Sequence, residues 1–269
     1  MSKQQLEIKD FNLFAEVLKS ATKIVDSAKL TFNENGLEIY GARAKAARCE
    51  IVSNAVVSAE PVEFCVEDLQ MFLKIVHSVQ EVHANDYSGL KFFVDLPFVR
   101  FESKKFKNKY STCNESLISA WVSKKIETEM TPIFEFTGTS DMIKRLCGNA
   151  FMFSVAKDVR IYLETKDDME HNAVFATLGN KETELNNEIT LKFGLVTAGS
   201  LVERDETGAV TGERKIILDF ERLALFNAIQ SNDIKFSLMN LNCLVSKTQM
   251  TGENGTFFKL NVYSTILKC

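Results

Sequence analysis

Residues 10 to 28, DFNLFAEVLKSATKIVDSA, place Phe11, Phe14, Val17, Leu18, Ala21, Ile24, Val25 and Ala28 three and four apart. That spacing predicts an amphipathic helix, with Asp10 as its N-cap. Its polar face holds Asn12, Glu16, Lys19, Lys23 and Asp26. The period then changes. In LTFNENGLEIYG, β-type side chains flank Asn33-Glu34-Asn35-Gly36, and asparagine and glycine tolerate the positive φ of a hairpin turn. Strands are expected across 47 to 58, and a second helix over 66 to 80, where Val66, Leu69, Phe72, Leu73 and Val76 share one face. LKFFVD (90 to 95) and FVRFE (98 to 102) read as strands, and SKKFKNKY as a lysine-rich loop. The mixed passage from 113 to 132, with Trp121 and Pro132, reads as a linker.

Beyond it the order recurs. TSDMIKRLCGNA (139 to 150) has helical spacing, and FMFSVAKDVRIYLE follows as a second strand-turn-strand. One offset lays Ile39-Tyr40 on Ile161-Tyr162, Ile24 on Leu146 and Ala28 on Ala150. A larger offset lays LDFERLALFNAIQ (218 to 230) on FCVEDLQMFLKIV (64 to 76), with Glu67 on Glu221, Leu69 on Leu223 and Phe72 on Phe226, and so places the second copy's second helix in this stretch. The second copy therefore contains extra residues, and the charged, glycine-punctuated SLVERDETGAVTGERK (200 to 215) accounts for part of them as a hairpin. A tandem repeat of helix, strands, helix, strands defines the architecture more firmly than any local propensity. It predicts an α+β chain with a first domain at 1–116, a connector at 117–132 and a second domain at 133–269.

Composition narrows the partners. A 45% hydrophobic, 25% charged chain of 269 residues has ample core. The net charge of −4 excludes a protein coated in basic residues while leaving room for a local basic face. No apolar run suits a signal peptide or a membrane span, so the expected setting is the cytoplasm. The six cysteines are scattered without a C-x-x-C pair and read as free thiols. His77, His83 and His171 stand beside no nucleophile motif, and there is no phosphate-binding glycine loop. Asp167-Asp168-Met169-Glu170-His171 lies between two expected strands and reads as a hairpin turn rather than a metal site. No cofactor and no catalysis are expected.

The stretches FAEVLKSATKIVDSAKLTFNENGLEIYGARAKAARCEI, FCVEDLQMFLKIV, TSDMIKRLCGNAFMFSVAKDVRIYLE and KIILDFERLALFNAI, with the closing NVYSTILKC, resemble the DNA polymerase sliding clamps of the two-domain type found in eukaryotes, archaea and tailed phages. The resemblance covers nearly the whole chain. It departs from the family at Arg43, where eukaryotic clamps usually carry an aspartate in a short turn, at the alanine-rich Ala44, Ala46 and Ala47, and at the 200 to 215 hairpin. These departures suit a divergent viral member, acting in the host cytoplasm.

The resemblance implies the DNA clamp fold, with two helices per domain on antiparallel sheets. It also implies a homotrimeric ring that encircles duplex DNA without sequence specificity, holds a DNA polymerase and is opened by a clamp loader. Helix cations would face the phosphates: Lys19, Lys23 and Lys74 in the first copy, Lys144, Arg145 and Arg222 in the second. Lys104, Lys105, Lys107 and Lys109 form either a second DNA contact or a solvated hairpin tip.

A partner pocket would draw on Tyr40, Ala47, Ile51, Leu117, Ile118, Trp121, Tyr263, Ile266 and Leu267, unless Trp121 anchors the connector to its own domain. Arg43, Lys45 and Arg48 would then mark a rebuilt partner surface. Ring closure would pair the strand near 172 to 178 with a strand near 98 to 112 of the next protomer. The alternatives are a monomeric processivity factor of the herpesviral kind, which binds DNA through a basic face, and a viral structural protein.

Overall fold

The computed structural model describes residues 3–43, 47–118, 130–152, 160–166, 173–179 and 189–267. The chain forms two units, one of Met1–Glu127 with Gln249–Val262, the other of Thr128–Thr248 with Tyr263–Cys269.

The first unit runs β1 (Gln4–Ile8), α1 (Phe11–Thr22), β2 (Ala28–Asn33), β3 (Gly36–Arg43), β4 (Ala47–Ser53), β5 (Val56–Val57), β6 (Val62–Val66), α2 (Leu69–His83), β7 (Lys91–Asp95), β8 (Phe98–Glu102) and β9 (Lys107–Ser111). Asp10 caps α1 by accepting from the Leu13 N–H at 2.8 Å, and Asp68 caps α2 by accepting from the Met71 N–H at 2.8 Å. Five strands form one sheet in the order β5-β1-β7-β8-β9.

A connected cluster of phenylalanine rings glues the helices to both sets of strands. Phe14 and Phe32 meet Phe92, Phe11 and Phe72 meet Phe101, and Phe92 stacks on Phe101 at 4.4 Å across β7 and β8. All six are buried. Such pairs add about 0.5–1.5 kcal/mol each beyond the area they bury.

The predicted β2-β3 hairpin is present, but its turn works differently from the expectation. Asn33 acts through its side chain, which accepts from the N–H groups of Asn35 (2.8 Å) and Gly36 (3.1 Å). Of the four turn residues, only Gly36 has positive φ, at +144°. A Cβ there would lie 2.1 Å from the Ser53 carbonyl oxygen on β4. Gly36→Ala therefore combines backbone strain of about 1–3 kcal/mol with a clash against main chain. Its urea unfolding midpoint should fall with the m value unchanged.

The second unit contains β10 (Pro132–Gly138), α3 (Ser140–Met152), β11 (Arg160–Lys166), β12 (Ala173–Gly179), β13 (Ile189–Gly199), β14 (Val202–Arg204), β15 (Val210–Glu213), β16 (Ile216–Leu218), α4 (Phe220–Leu225), β17 (Ile234–Met239) and β18 (Cys243–Thr251). The closing β19 (Phe257–Thr265) begins in the first unit, where β19-β4-β3-β2-β6 are successive neighbours. In the second unit the order is β16-β11-β12-β13-β10-β17-β18. Its core again centres on phenylalanine: Phe136 and Phe236, opposite one another on β10 and β17, stack at 4.8 Å.

The pairing corrects several sequence expectations. β11 lies between β16 and β12 as β2 lies between β6 and β3, so Ile161-Tyr162 occupies the place of β2 and not that of Ile39-Tyr40. α3 runs on through Met152, where a strand was expected. α4 ends at Leu225, well short of residue 230. Ser140, at the start of α3, draws the chain off that course: its Oγ donates to the Ile229 carbonyl and accepts from the Ser231 N–H, while its own N–H donates to the Ser231 carbonyl.

β12 has β11 on one side and β13 on the other, so the strand near 172 to 178 is closed to a neighbouring protomer. Lys107 and Lys109 sit on a strand, β9, rather than in a loop. The 200 to 215 hairpin is formed by β14 and β15. Asp205 nucleates its turn, with Oδ1 accepting from the N–H groups of Thr207 (2.8 Å) and Ala209 (2.9 Å).

Candidate nucleic-acid interface and partner surface

In the first unit α1 and α2 lie antiparallel. Gln70 Nε2 donates to the Thr22 carbonyl at one end, and Gln80 Nε2 to Asn12 Oδ1 at the other. One turn inward from the Gln70–Thr22 contact brings Lys74 level with Lys19. Lys19, Lys23 and Lys74 are exposed, with Lys23 as the C-cap of α1. Lys19 Nζ is 2.9 Å from Glu16 Oε1, an exposed i,i+3 pair of at most a few tenths of a kcal/mol that a phosphate displaces readily. Three cations thus share one solvent-facing helical layer.

In the second unit Lys144 and Arg145 are exposed on α3, and Lys144 Nζ stands 3.9 Å from Asp141 Oδ1. Arg222 differs. Its N–H donates to Asp219 Oδ1 at 2.7 Å, its guanidinium pairs with the same carboxylate, and its side chain is only 21% exposed. Arg222 completes the N-cap of α4 and is not presented to solvent as a free cation. The spacing Asp219-Phe220-Glu221-Arg222, an N-cap residue three before the arginine, carried that signal in the sequence.

The predicted partner residues separate by strand parity. Leu37, Ile39 and Gly41 of β3 face the helices, so Glu38, Tyr40 and Ala42 face away. Cross-strand partners share a face, and Ile39 pairs with Ile51 and Tyr40 with Glu50. Ile51 is accordingly in the core at 0% exposure, and Ala47, four residues back on the same face of β4, is buried too, so neither is available to a partner. Arg48 and Glu50 lie on the opposite face, 3.4 Å apart, with side chains only 13% exposed.

Ile118 is buried against Ala42 and Cys65, with Tyr40 and Cys113 around it, whereas Leu117 is 63% exposed. Trp121, Lys45 and the acidic run from Asp167 to His171 lie outside the described residues. Tyr263 is half-buried on β19. The N–H groups of Ile266 and Leu267 donate to Asn242 (3.2 Å) and Ile217 (2.9 Å), which ties the tail into the second unit.

The outward face around Tyr40 is charged, which the aromatic and aliphatic expectation missed. The Tyr40 hydroxyl donates to Glu38, and burial followed by that bond pushes the phenol well above its ordinary range. Lys29 lies 3.0 Å from Glu63 and 3.6 Å from Glu115. Burial pulls the Lys29 pKa down, and the two carboxylates outweigh it to hold the group above the usual lysine value. A shallow cleft of about 180 Å³ is lined by Lys29, Glu63, Cys65, Leu96, Cys113 and Glu115. Burial also pushes the thiols of Cys65, Cys147 and Cys243 up to about 11 and that of Cys49 to about 12, so all four stay protonated and poorly nucleophilic near neutrality. His83 is a structural bridge: Nδ1 is 2.9 Å from the Asp86 carbonyl and Nε2 3.0 Å from Ser103 Oγ. Among the described residues no cluster of three metal-ligating side chains occurs, and no helix is long and apolar enough to cross a membrane.

Two repeated units of two helices against antiparallel strands are the α+β DNA-clamp fold, and solved structures match it along nearly the whole chain. The proliferating cellular nuclear antigen of Entamoeba histolytica is 14% identical with a TM-score of 0.63, covering 99% of this chain and 98% of its own. A. fulgidus PCNA, solved with the C-terminal region of FEN-1, is 12% identical with a TM-score of 0.69, covering 98% and 99%. The PCNA2–PCNA3 complex from Sulfolobus tokodaii matches at 11% identity and a TM-score of 0.58, again over 98% and 99%. No family model matches the sequence, and no curated protein sequence matches it.

Proposed function

We propose that the chain is a sliding clamp: a non-enzymatic ring of three protomers that encircles duplex DNA and tethers a replicative DNA polymerase. The observation that carries this reading is the full-length likeness to PCNA structures, combined with helices that present Lys19, Lys23, Lys74, Lys144 and Arg145 to solvent. Loose, sequence-independent attraction between such cations and phosphates suits a protein that must slide. Residues 1–116 and 133–269 act as the two clamp domains, with 249–262 returning to the first, and 117–132 as the connector. A clamp loader opens the ring.

Closure uses edges that the fold leaves open. Among the described residues β9 pairs only with β8, and the stretch 189–193 of β13 only with β12. In this reading those two edges join in neighbouring protomers. The partner surface centres on half-buried Tyr40 and exposed Leu117, with the exposed carboxylates of Glu63 and Glu115 supplying charge beside them. An occupant of that surface would carry polar groups as well as apolar anchors.

The test is native mass by light scattering, followed by retention on circular and linear duplex. A mass of three times 30.3 kDa, with protein held on circles and lost from linear ends, is expected. A stable monomer that binds linear DNA tightly would favour the herpesviral kind of processivity factor instead.

A further inference from the structure

The outward face of the five-stranded sheet in the first unit is not used by this reading, and its chemistry is specific. Strand alternation turns Leu6, Phe92, Val94, Val99 and Phe101 inward beneath α1 and α2. It turns Phe93, Phe98 and Arg100 outward. Phe93 lies directly opposite Arg100, and Phe98 is two residues along the same strand, so the two rings are diagonal neighbours about 7–8 Å apart at the backbone.

Each ring is overlaid by a cation. Lys3 Nζ is 3.6 Å from the Phe93 centroid and Lys109 Nζ 3.3 Å from that of Phe98. The face holds three carboxylates: Asp95 pairs with Arg100 at 2.8 Å and Glu102 with Lys3 at 3.6 Å, and exposed Glu7 on β1 stands two residues from Gln5, the partner of Phe93. Lys91 and Lys107 flank Glu102 on the adjoining strands, and neither forms an ion pair among the described residues. The β8-β9 turn adds Lys104 and Lys105. It is held rigid because Ser103 Oγ accepts from the N–H groups of Lys105 (3.1 Å) and Phe106 (3.0 Å) and bonds to His83.

We infer that this face is a platform for single-stranded nucleic acid, with unpaired bases stacking on Phe93 and Phe98 while the surrounding lysines neutralise the backbone. A sheet face with neighbouring aromatic rings inside a ring of cations provides both components of such binding. Lysines resting on the rings exchange their cation–π contact for phosphate when a base arrives. Duplex DNA hides its bases and an acidic polypeptide has none to stack, so either would use the cations and leave the rings idle. The helices cover the opposite side of this sheet, so the inference stands apart from encirclement of duplex.

The test is fluorescence anisotropy of a short labelled oligo-dT and of a duplex of equal length, using the full chain. Phe93→Leu/Phe98→Leu keeps apolar volume and removes the π faces. It should weaken oligo-dT binding about tenfold or more while retention of duplex on circles stays unchanged. Lys91→Ala/Lys107→Ala should reduce the slope of log K against log salt for oligo-dT by about 1.4. Oligo-dT affinity that is absent in the parent protein, unchanged in both variants, or lost only with Lys19→Glu/Lys74→Glu on the helices would overturn the inference. Equal loss of duplex and oligo-dT on removing the rings would do the same, as would displacement of oligo-dT by polyglutamate with no sensitivity to the rings. Failure of circle retention in the parent protein would count against the clamp and leave this result readable.

Discussion

Lys109→Pro should convert the assembly from three protomers to one without unfolding the chain. The reason lies in which backbone groups β9 already uses. The Thr112 N–H donates to the Pro97 carbonyl (2.9 Å) and the Ser103 N–H to the Phe106 carbonyl (2.7 Å). Hydrogen-bonded pairs alternate along an antiparallel ladder, so Tyr110 and Asn108 bond to β8 across Val99 and Phe101. The N–H and C=O groups of Lys107, Lys109 and Ser111 therefore point to the open edge. Proline at 109 removes an outward donor and costs β8 nothing, the edge position at which sheets accept proline. Against a pairing neighbour it deletes a ladder bond and sets a ring where a second backbone must approach. Light scattering should report a fall from three times 30.3 kDa to that mass alone, with the melting transition of the separate protomer still cooperative. A trimer that survives the substitution would place the ring contact elsewhere.

Features set by burial were legible in the sequence. The faces of α1 and α2 follow from which side chains leave water, and the two-fold recurrence of helix, strands, helix, strands carried the fold class. Register was not legible, because strand alternation is the same for every strand. Ile-Tyr at 39 and at 161 both read as one residue in and one out, and only the neighbours, β16 beside β11 and β6 beside β2, show that they occupy different places. The partner residues suffered from the same ambiguity. Ile51 reads as an available aliphatic until its pairing with Ile39 fixes it on the core face. Arg48 and Glu50 then share the face of Tyr40 but are covered and paired with each other, so the charge that reaches solvent there comes from Glu63 and Glu115. Arg222 was misread for a different reason: a cation on a short helix was counted for its charge, while an acidic N-cap three residues earlier had already engaged it.

That contrast decides the second large effect. Lys19→Glu/Lys74→Glu/Arg145→Glu reverses three exposed cations on three helices. It should reduce retention on circular duplex by more than tenfold at about 0.1 M salt, with a markedly shallower salt slope, since each lost phosphate contact removes about 0.9 from it. None of the three side chains is buried, so melting temperature should barely move. Arg222→Ala should behave the opposite way. It removes the partner of Asp219 and the packing of a side chain that is mostly covered, and partly buried charge-assisted contacts of this kind contribute about 1–3 kcal/mol. The expected result is a lower melting temperature with duplex retention close to that of the parent protein. If Arg222→Ala instead loses DNA while keeping its stability, the guanidinium must leave Asp219 to meet phosphate, and the cap would be a resting state of a DNA contact. If the triple reversal leaves retention intact, the helices do not face the duplex. The cations of the five-stranded sheet would then be the basic surface left to hold DNA, which the Lys91→Ala/Lys107→Ala variant measures directly.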